Sequence, residues 1–324
     1  MSLFASTELA SALAAVEAVP TRVASVACEQ HIVPVVYAAG RPVVDRVWLD
    51  YLEPSTDPLL APEAFVRFLP RLVVGRVAAE QWWQEVAPTA ERRGLRVAPT
   101  VDLARFSSWD EVEAWVRTKR SGFVKTAERL GRKASRELGE VSFEGSDPDE
   151  EAFEQLLRWK RAHYQRTGVG DPLAVPANIE LLRWLFRNGT LQHATLRAGD
   201  RLMAGIAYVR RGGRVYYWMP SYDTELAAYS PGNLNLLRSI RHAYDSGATE
   251  YDFMIGEEDY KWFFATDARI VAPVGSMPVV RRARRFAGTA RRRLLAGHGP
   301  GQEQRPGRGP THDGAAEHGR TADA

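Results

Sequence analysis

The 324-residue chain has one cysteine, Cys28, which excludes an internal disulfide and any multi-cysteine metal site and points to a reducing compartment. No uninterrupted apolar run reaches the roughly 18 residues that a bilayer span needs. The stretch 23–40 comes closest, and Glu29, Gln30, His31 and Pro34 break it. In the first 20 residues Glu8 and Glu17 interrupt the apolar stretch and no basic region precedes it. That pattern reads as an amphipathic helix rather than a secretory signal. There is no Gly-x-Ser-x-Gly nucleophile elbow and no Walker loop. His31, His163, His193 and His242 are scattered without ligand spacing, so no metal is expected.

A basic excess is also lacking in the body. The net charge is +3, but ten arginines and only four acids lie beyond residue 280, leaving 33 basic and 36 acidic side chains before it, a net of −3. DNA binding is therefore not expected, and a tRNA partner is disfavoured. The run RRARRFAGTARRRLL from Arg281 puts arginines around most of a helix with Phe286, Leu294 and Leu295 as sparse apolar contacts. It reads as a solvated, disordered extension or as a weak peripheral contact with an anionic membrane surface.

What is present is ordinary for a globular protein, with 45% hydrophobic and 26% charged residues. Residues 1–105 alternate strand-like runs (HIVPVVYAAGRPVV, FVRFLPRLVVGRV, LRVAPTVDL) with a helix-like AAEQWWQEVAPTAERRG, as an α/β layer does. Ser108 and Glu111 form a capping box that opens a helical stretch to about Leu138, interrupted or ended by Gly122, Gly131 and Gly139. Asp147-Pro148 starts another helix with Phe153, Leu156, Leu157, Lys160 and Tyr164 on one face. After a helix over about 178–187, strands are expected at 190–198, 202–210 and 214–222, joined by tight turns.

Ser230-Pro231-Gly232-Asn233 then opens a helix that ends at Gly247, and EYDFMI follows as a strand. A crossover helix of this length makes strand 250–255 parallel to strand 214–222. A small-residue loop feeding a helix N-terminus is an anion site or simply a well-formed N-cap. In the anion reading, Gly232 leaves room and the N–H groups of Gly232, Asn233 and Leu234 point at the ligand. The crevice between the two parallel strands offers Met219, Pro220, Ser221, Tyr222 and Asp223 on one side. Phe253, Met254, Ile255 and Gly256 line the other. Tyr216 and Trp218 read as core. The eight basic side chains between Arg117 and Arg136 form either a solvated helix face or a surface for an anionic ligand.

This three-strand meander, the Ser-Pro-Gly-opened crossover helix and the segment YDFMIGEEDYK resemble the GNAT-fold acyltransferases. Within them they resemble the branch of Fem-type peptidyltransferases and the acyltransferases of exopolysaccharide and cellulose clusters. The resemblance implies a mixed α/β (α+β) fold with tandem GNAT-like halves, an antiparallel meander and a helix crossover to a parallel strand. The halves would be 1–105, degenerate, and 189–280, the catalytic core; 106–188 would be a helical connection and 281–324 the tail. It also implies a cytoplasmic enzyme, peripheral at the membrane if the tail binds there, that moves an acyl group from acyl-coenzyme A to an amine by direct attack. The acceptor would be an amino sugar or amino acid of a polysaccharide or metabolite. The alternatives are an aminoacyl-tRNA-dependent peptidyltransferase and a catalytically silent GNAT pair. The Gln/Arg-x-x-Gly-x-Gly/Ala loop common in GNAT enzymes is missing here.

Acyl transfer to an amine needs a pyrophosphate cradle, an oxyanion donor and a proton acceptor. Ser230, Gly232, Asn233, Leu234 and Tyr222 are the cofactor-binding candidates. Lys261, in the family's Gly-x-x-x-Tyr-Lys pattern, would neutralise the oxyanion or a phosphate; otherwise it is a surface lysine paired with Glu257 or Glu258. Tyr260 would return a proton to the leaving thiolate or only stack. Asp252 is a general base or a paired structural group, and Glu257 is a further base candidate beside Glu258 and Asp259.

Overall fold

The computed structural model describes residues 21–28, 31–38, 41–42 and 71–273 except Val169. The expected N-terminal amphipathic helix and the arginine-rich tail lie outside them. All described residues belong to one compact unit, 1–275.

Near the N-terminus β1 (Thr21–Cys28), β2 (His31–Ala38) and β3 (Arg41–Pro42) form a small antiparallel sheet. The main sheet has eight strands. They are β4 (Arg71–Ala78), β5 (Arg96–Asp102), β6 (Val141–Glu144), β7 (Gln192–Ala198), β8 (Arg201–Arg211), β9 (Arg214–Tyr222), β10 (Glu250–Asp252) and β11 (Asp267–Pro273). Their spatial order is β4-β11-β5-β10-β9-β8-β7-β6. Strands from both sides of residue 105 therefore share one sheet. The meander β7-β8-β9 is antiparallel and β10 runs parallel to β9, as the pattern of turns and crossover predicts.

The helices are α1 (Ala87–Arg93), α2 (Trp109–Lys119), α3 (Phe123–Leu138), α4 (Glu150–Thr167), α5 (Pro176–Arg187), α6 (Pro231–Asp245) and the single turn α7 (Asp259–Trp262). A further turn (Ala79–Gln81) and a π-turn (Trp82–Val86) lead into α1. Ser108 caps α2 by accepting from the Glu111 N–H, but the Glu111 carboxylate reaches back to Ser107 rather than closing a reciprocal box. The stretch expected to run to Leu138 is two helices. Gly122 is the N-cap of α3 and Gly139 its C-cap, while Gly131 stays helical. A Cβ at Gly131 would lie 2.7 Å from the Leu234 Cδ2, so the glycine lets α6 press onto α3.

The main core gathers α2, α3, α6 and the inward side chains of β5 to β10, including Val101, Leu196, Ile206, Tyr217, Tyr251 and Phe253. Tyr216 is also buried, as expected of a strand aromatic. The basic residues between Arg117 and Arg136 lie on the outer sides of α2 and α3, whose buried positions are Val112, Val116, Phe123, Ala127, Gly131 and Ala134. Some pair locally, Arg117 with Glu113 and Lys133 with Glu137.

A crevice between two parallel strands

The strand expected over 250–255 ends at Asp252. Its ladder with β9 stops at the pair Asp252–Tyr216, while β9 continues to Tyr222 against β8. Beyond Asp252 the chain turns toward β5: the Phe253 N–H donates to the Pro99 carbonyl (3.0 Å) and the Gly256 N–H to the Val97 carbonyl (3.0 Å). The turn is made at Met254, buried yet left-handed with φ 60°, whose N–H donates to Asp252 Oδ1 at 2.9 Å. The two parallel strands thus separate, and among the described residues no strand ladder continues along the far half of β9 on that side. A non-glycine residue in this conformation costs roughly 1–2 kcal/mol.

Only one other non-glycine described residue has positive φ: Ser230, at φ 50° immediately before α6. Pro231 occupies the first helical turn, where its missing N–H costs nothing. The Asn233 and Leu234 N–H groups both donate to the Ser230 carbonyl at 3.2 Å. Of the three donors expected to face a ligand, Gly232 alone has no partner among the described residues. Leu234 is buried, with its side chain against α3, and the Asn233 amide donates to Ser230 Oγ at 2.9 Å. Tyr222 lies beside Gly232: a Cβ there would be 3.2 Å from the ring Cδ1. The bare glycine therefore seats an aromatic ring at the helix mouth as well as leaving its N–H open.

At the other lip of the crevice Lys261 is buried, 4% exposed. Its Nζ lies 2.9 Å from Glu258 Oε2 and donates to the Ile255 carbonyl at 3.3 Å. Both the ammonium and the carboxylate crowd the place a Cβ of residue 256 would take, so a side chain there would have to push them aside. Burial works to raise the Glu258 carboxyl, but Lys261 above all, then a backbone hydrogen bond and last Lys160, outweigh it and hold the group below its ordinary value. Tyr260 packs edge-on to Tyr217 and Phe253 with ring centroids at 6.3 and 6.5 Å. Burial, and next the Glu258 charge, push its phenol well up, so it stays protonated.

Asp252 is placed differently from a proton acceptor. It is fully buried, with one oxygen on the Met254 N–H and the other 3.0 Å from Arg269 Nη1. Arg269, itself fully buried, also binds Glu250, which Arg214 (2.6 Å) and Arg76 (3.0 Å) pair in turn. The Asp252 carboxylate belongs to an ion network across the sheet. Glu257 is exposed in the loop. Lys160, which the sequence placed only on a helix face, reaches the crevice from α4 and donates to the Pro220 carbonyl at 3.2 Å.

Among the described residues no group of three His, Cys, Asp or Glu side chains could hold a metal ion, and no helix is long and apolar enough to cross a membrane. Residues 121–262 match a family model described as acetyltransferase (GNAT) domain. No curated protein matches the chain significantly. Among solved structures, FemX is similar over 85% of this chain and 91% of its own, at 10% identity and TM-score 0.46. The C-terminal domain of a putative lysylphosphatidylglycerol synthetase from Agrobacterium fabrum is similar over 64% of this chain and 68% of its own, at 12% identity and TM-score 0.38. L-PGS from Bacillus licheniformis is similar over 65% and 69%, at 13% identity and TM-score 0.38. The strand–helix–strand crevice lies within residues 121–262, the part of the chain that is similar to an acetyltransferase (GNAT) domain.

Proposed function

We propose that the protein is a cytoplasmic, Fem-like acyltransferase that takes its acyl group from acyl-coenzyme A and passes it to an amine acceptor, an amino acid or amino sugar, by direct attack. The observation that carries this reading is the crevice between β9 and residues 253–256, which opens beside the N-terminus of α6 and has a buried lysine at its lip. The stretch of β9 beyond its ladder with β10 suits an extended amide-bearing arm. The Gly232 N–H and the positive end of α6 suit a pyrophosphate, with Tyr222 packing beside it.

As the amine nitrogen bonds to the thioester carbon, negative charge gathers on the carbonyl oxygen, and the Lys261 ammonium is the fixed positive charge at hand. The C–S bond then breaks. The protonated Tyr260 phenol supplies a proton to the leaving thiolate. The proton released by the amine goes to a carboxylate of the loop, Glu258 or Glu257.

Calorimetry with acetyl-coenzyme A tests the donor. Gly232→Asp puts a carboxylate beside the open N–H and is expected to weaken binding by about 2–3 kcal/mol. Gly232→Ala, which displaces the Tyr222 ring without adding charge, is expected to cost less. Equal binding to all three proteins removes the phosphate assignment. Binding of aminoacyl-tRNA in place of coenzyme A favours the peptidyltransferase reading, and binding of neither favours a silent module.

A further inference from the structure

Asn235 lies in the first half of α6 and is 1% exposed, yet neither its amide oxygen nor its amide nitrogen has a partner among the described residues. Exchanging the two atoms leaves the deficit unchanged, since both lack a partner. Buried side-chain amides ordinarily find one. Asn178, the other buried asparagine among the described residues, donates to the Pro172 carbonyl at 2.7 Å. A donor and an acceptor left unpaired inside a protein destabilise its fold. A leucine, like the buried neighbours Leu234, Leu236 and Leu237, would be the stable choice at this position.

Two contacts fix where Asn235 stands. α6 joins the end of β9 to the start of β10, which runs parallel to β9, so the helix passes back along the crevice. Gly232 is level with Tyr222 at the far end of β9, where a Cβ on the glycine would be 3.2 Å from the ring. Ser239 is level with β10, its hydroxyl 2.8 Å from that of Tyr251. Residues three, four and seven apart share a helix face. Asn235 therefore stands between these two contacts, on the face of α6 turned to the strands, where the β9–β10 ladder ends at Asp252 and the crevice begins.

We propose that Asn235 is a binding residue for the uncharged arm of the donor, its side-chain amide pairing with a secondary amide of that arm. This rests on the coenzyme A reading of the crevice and deepens it. A side-chain amide offers N–H donors and a carbonyl acceptor in one plane, and a secondary amide offers the complement. A bound arm thus satisfies both orphaned atoms, whereas a phosphate would satisfy the donor alone. The crevice divides its ligand by chemistry, with the Gly232 N–H for the pyrophosphate and Asn235, about one helical turn deeper, for the arm. The empty protein carries the deficit and the ligand removes it.

The test uses the full chain with Asn235→Leu and Asn235→Ala, urea melts, and calorimetry with coenzyme A and with ADP, which has the pyrophosphate but no arm. Both variants are expected to bind coenzyme A about tenfold or more weakly than the parent while ADP affinity stays unchanged. Asn235→Leu is expected to raise the urea midpoint, because it removes the unpaired amide and keeps the volume filled. Asn235→Ala keeps the binding comparison open if the leucine overpacks. Coenzyme A affinity equal in parent and variants overturns the assignment of Asn235 and leaves the donor reading standing. A loss shared by ADP, with a lower urea midpoint in both variants, marks Asn235 as a structural residue and also overturns it. If the parent itself does not bind coenzyme A, the donor reading fails and the assignment falls with it.

Discussion

His193 is fully buried on β7, and neither ring nitrogen has a partner among the described residues. Its ring stands edge-on to Phe153 and Phe186, at 5.7 and 6.4 Å. Gly205 on the neighbouring strand has no Cβ because that space belongs to the imidazole. Burial pushes the histidine down from 6.5 to about 4, and Asp147 pulls the other way. Between those two values the unfolded chain binds a proton that the folded chain refuses. The stability tied to His193 is therefore fully present above pH 6.5 and is lost as the pH falls toward 4, about 3 kcal/mol in all. Urea melts at pH 7.5 and pH 4.5 check this. His193→Leu is expected to lose less stability between the two than the parent; the same loss would show that the histidine is not the group responsible.

At the scale of elements, the start of α6 is a balance between strain and placement. Ser230 holds a left-handed conformation that a β-branched side chain resists strongly and glycine accepts. Ser230→Val is expected to be less stable than Ser230→Gly by about 1–2 kcal/mol, read as a shift in the urea midpoint at constant slope. The meander and the crossover were legible because each strand has a tight turn or a Pro/Gly boundary at its ends. The strands β6 and β11 were not. Four residues, VSFE, are too few for a pattern, and DARIVAP carries Arg269 at a position that turns out to be fully buried. An arginine in a strand reads as an outward residue until its carboxylate partners, on β10, are known. For the same reason Lys160 could be put on a helix face but not at the crevice, since its partner Pro220 is 60 residues away in sequence. The loss of two expected N–H donors at α6 was equally invisible, because it depends on the backbone angle of Ser230.

At the scale of the molecule, the ion network ties β4, β11, β10 and β9 through Arg76, Arg269, Glu250, Asp252 and Arg214. Removing its centre takes the arginine from the fully buried Asp252 carboxylate and one of three arginines from Glu250. Arg269→Met is expected to cost about 3–5 kcal/mol, read from urea unfolding, far more than a surface arginine. The triple change Arg269→Met, Asp252→Leu and Glu250→Leu should recover part of that loss, because apolar packing can replace a buried ion cluster.

Asp252 does two things at once: one oxygen joins that network and the other holds the Met254 N–H that sets the strands apart. The opening of the crevice is thereby soldered to the most deeply embedded charges of the sheet, so it has no separate way of relaxing shut. Deuterium exchange should reveal this as kinship between distant amides. Those of Phe253, Met254 and Gly256 are expected to exchange only when the whole sheet opens, with the same denaturant dependence as amides in β8. Faster exchange that ignores denaturant would mean the crevice breathes independently of the fold.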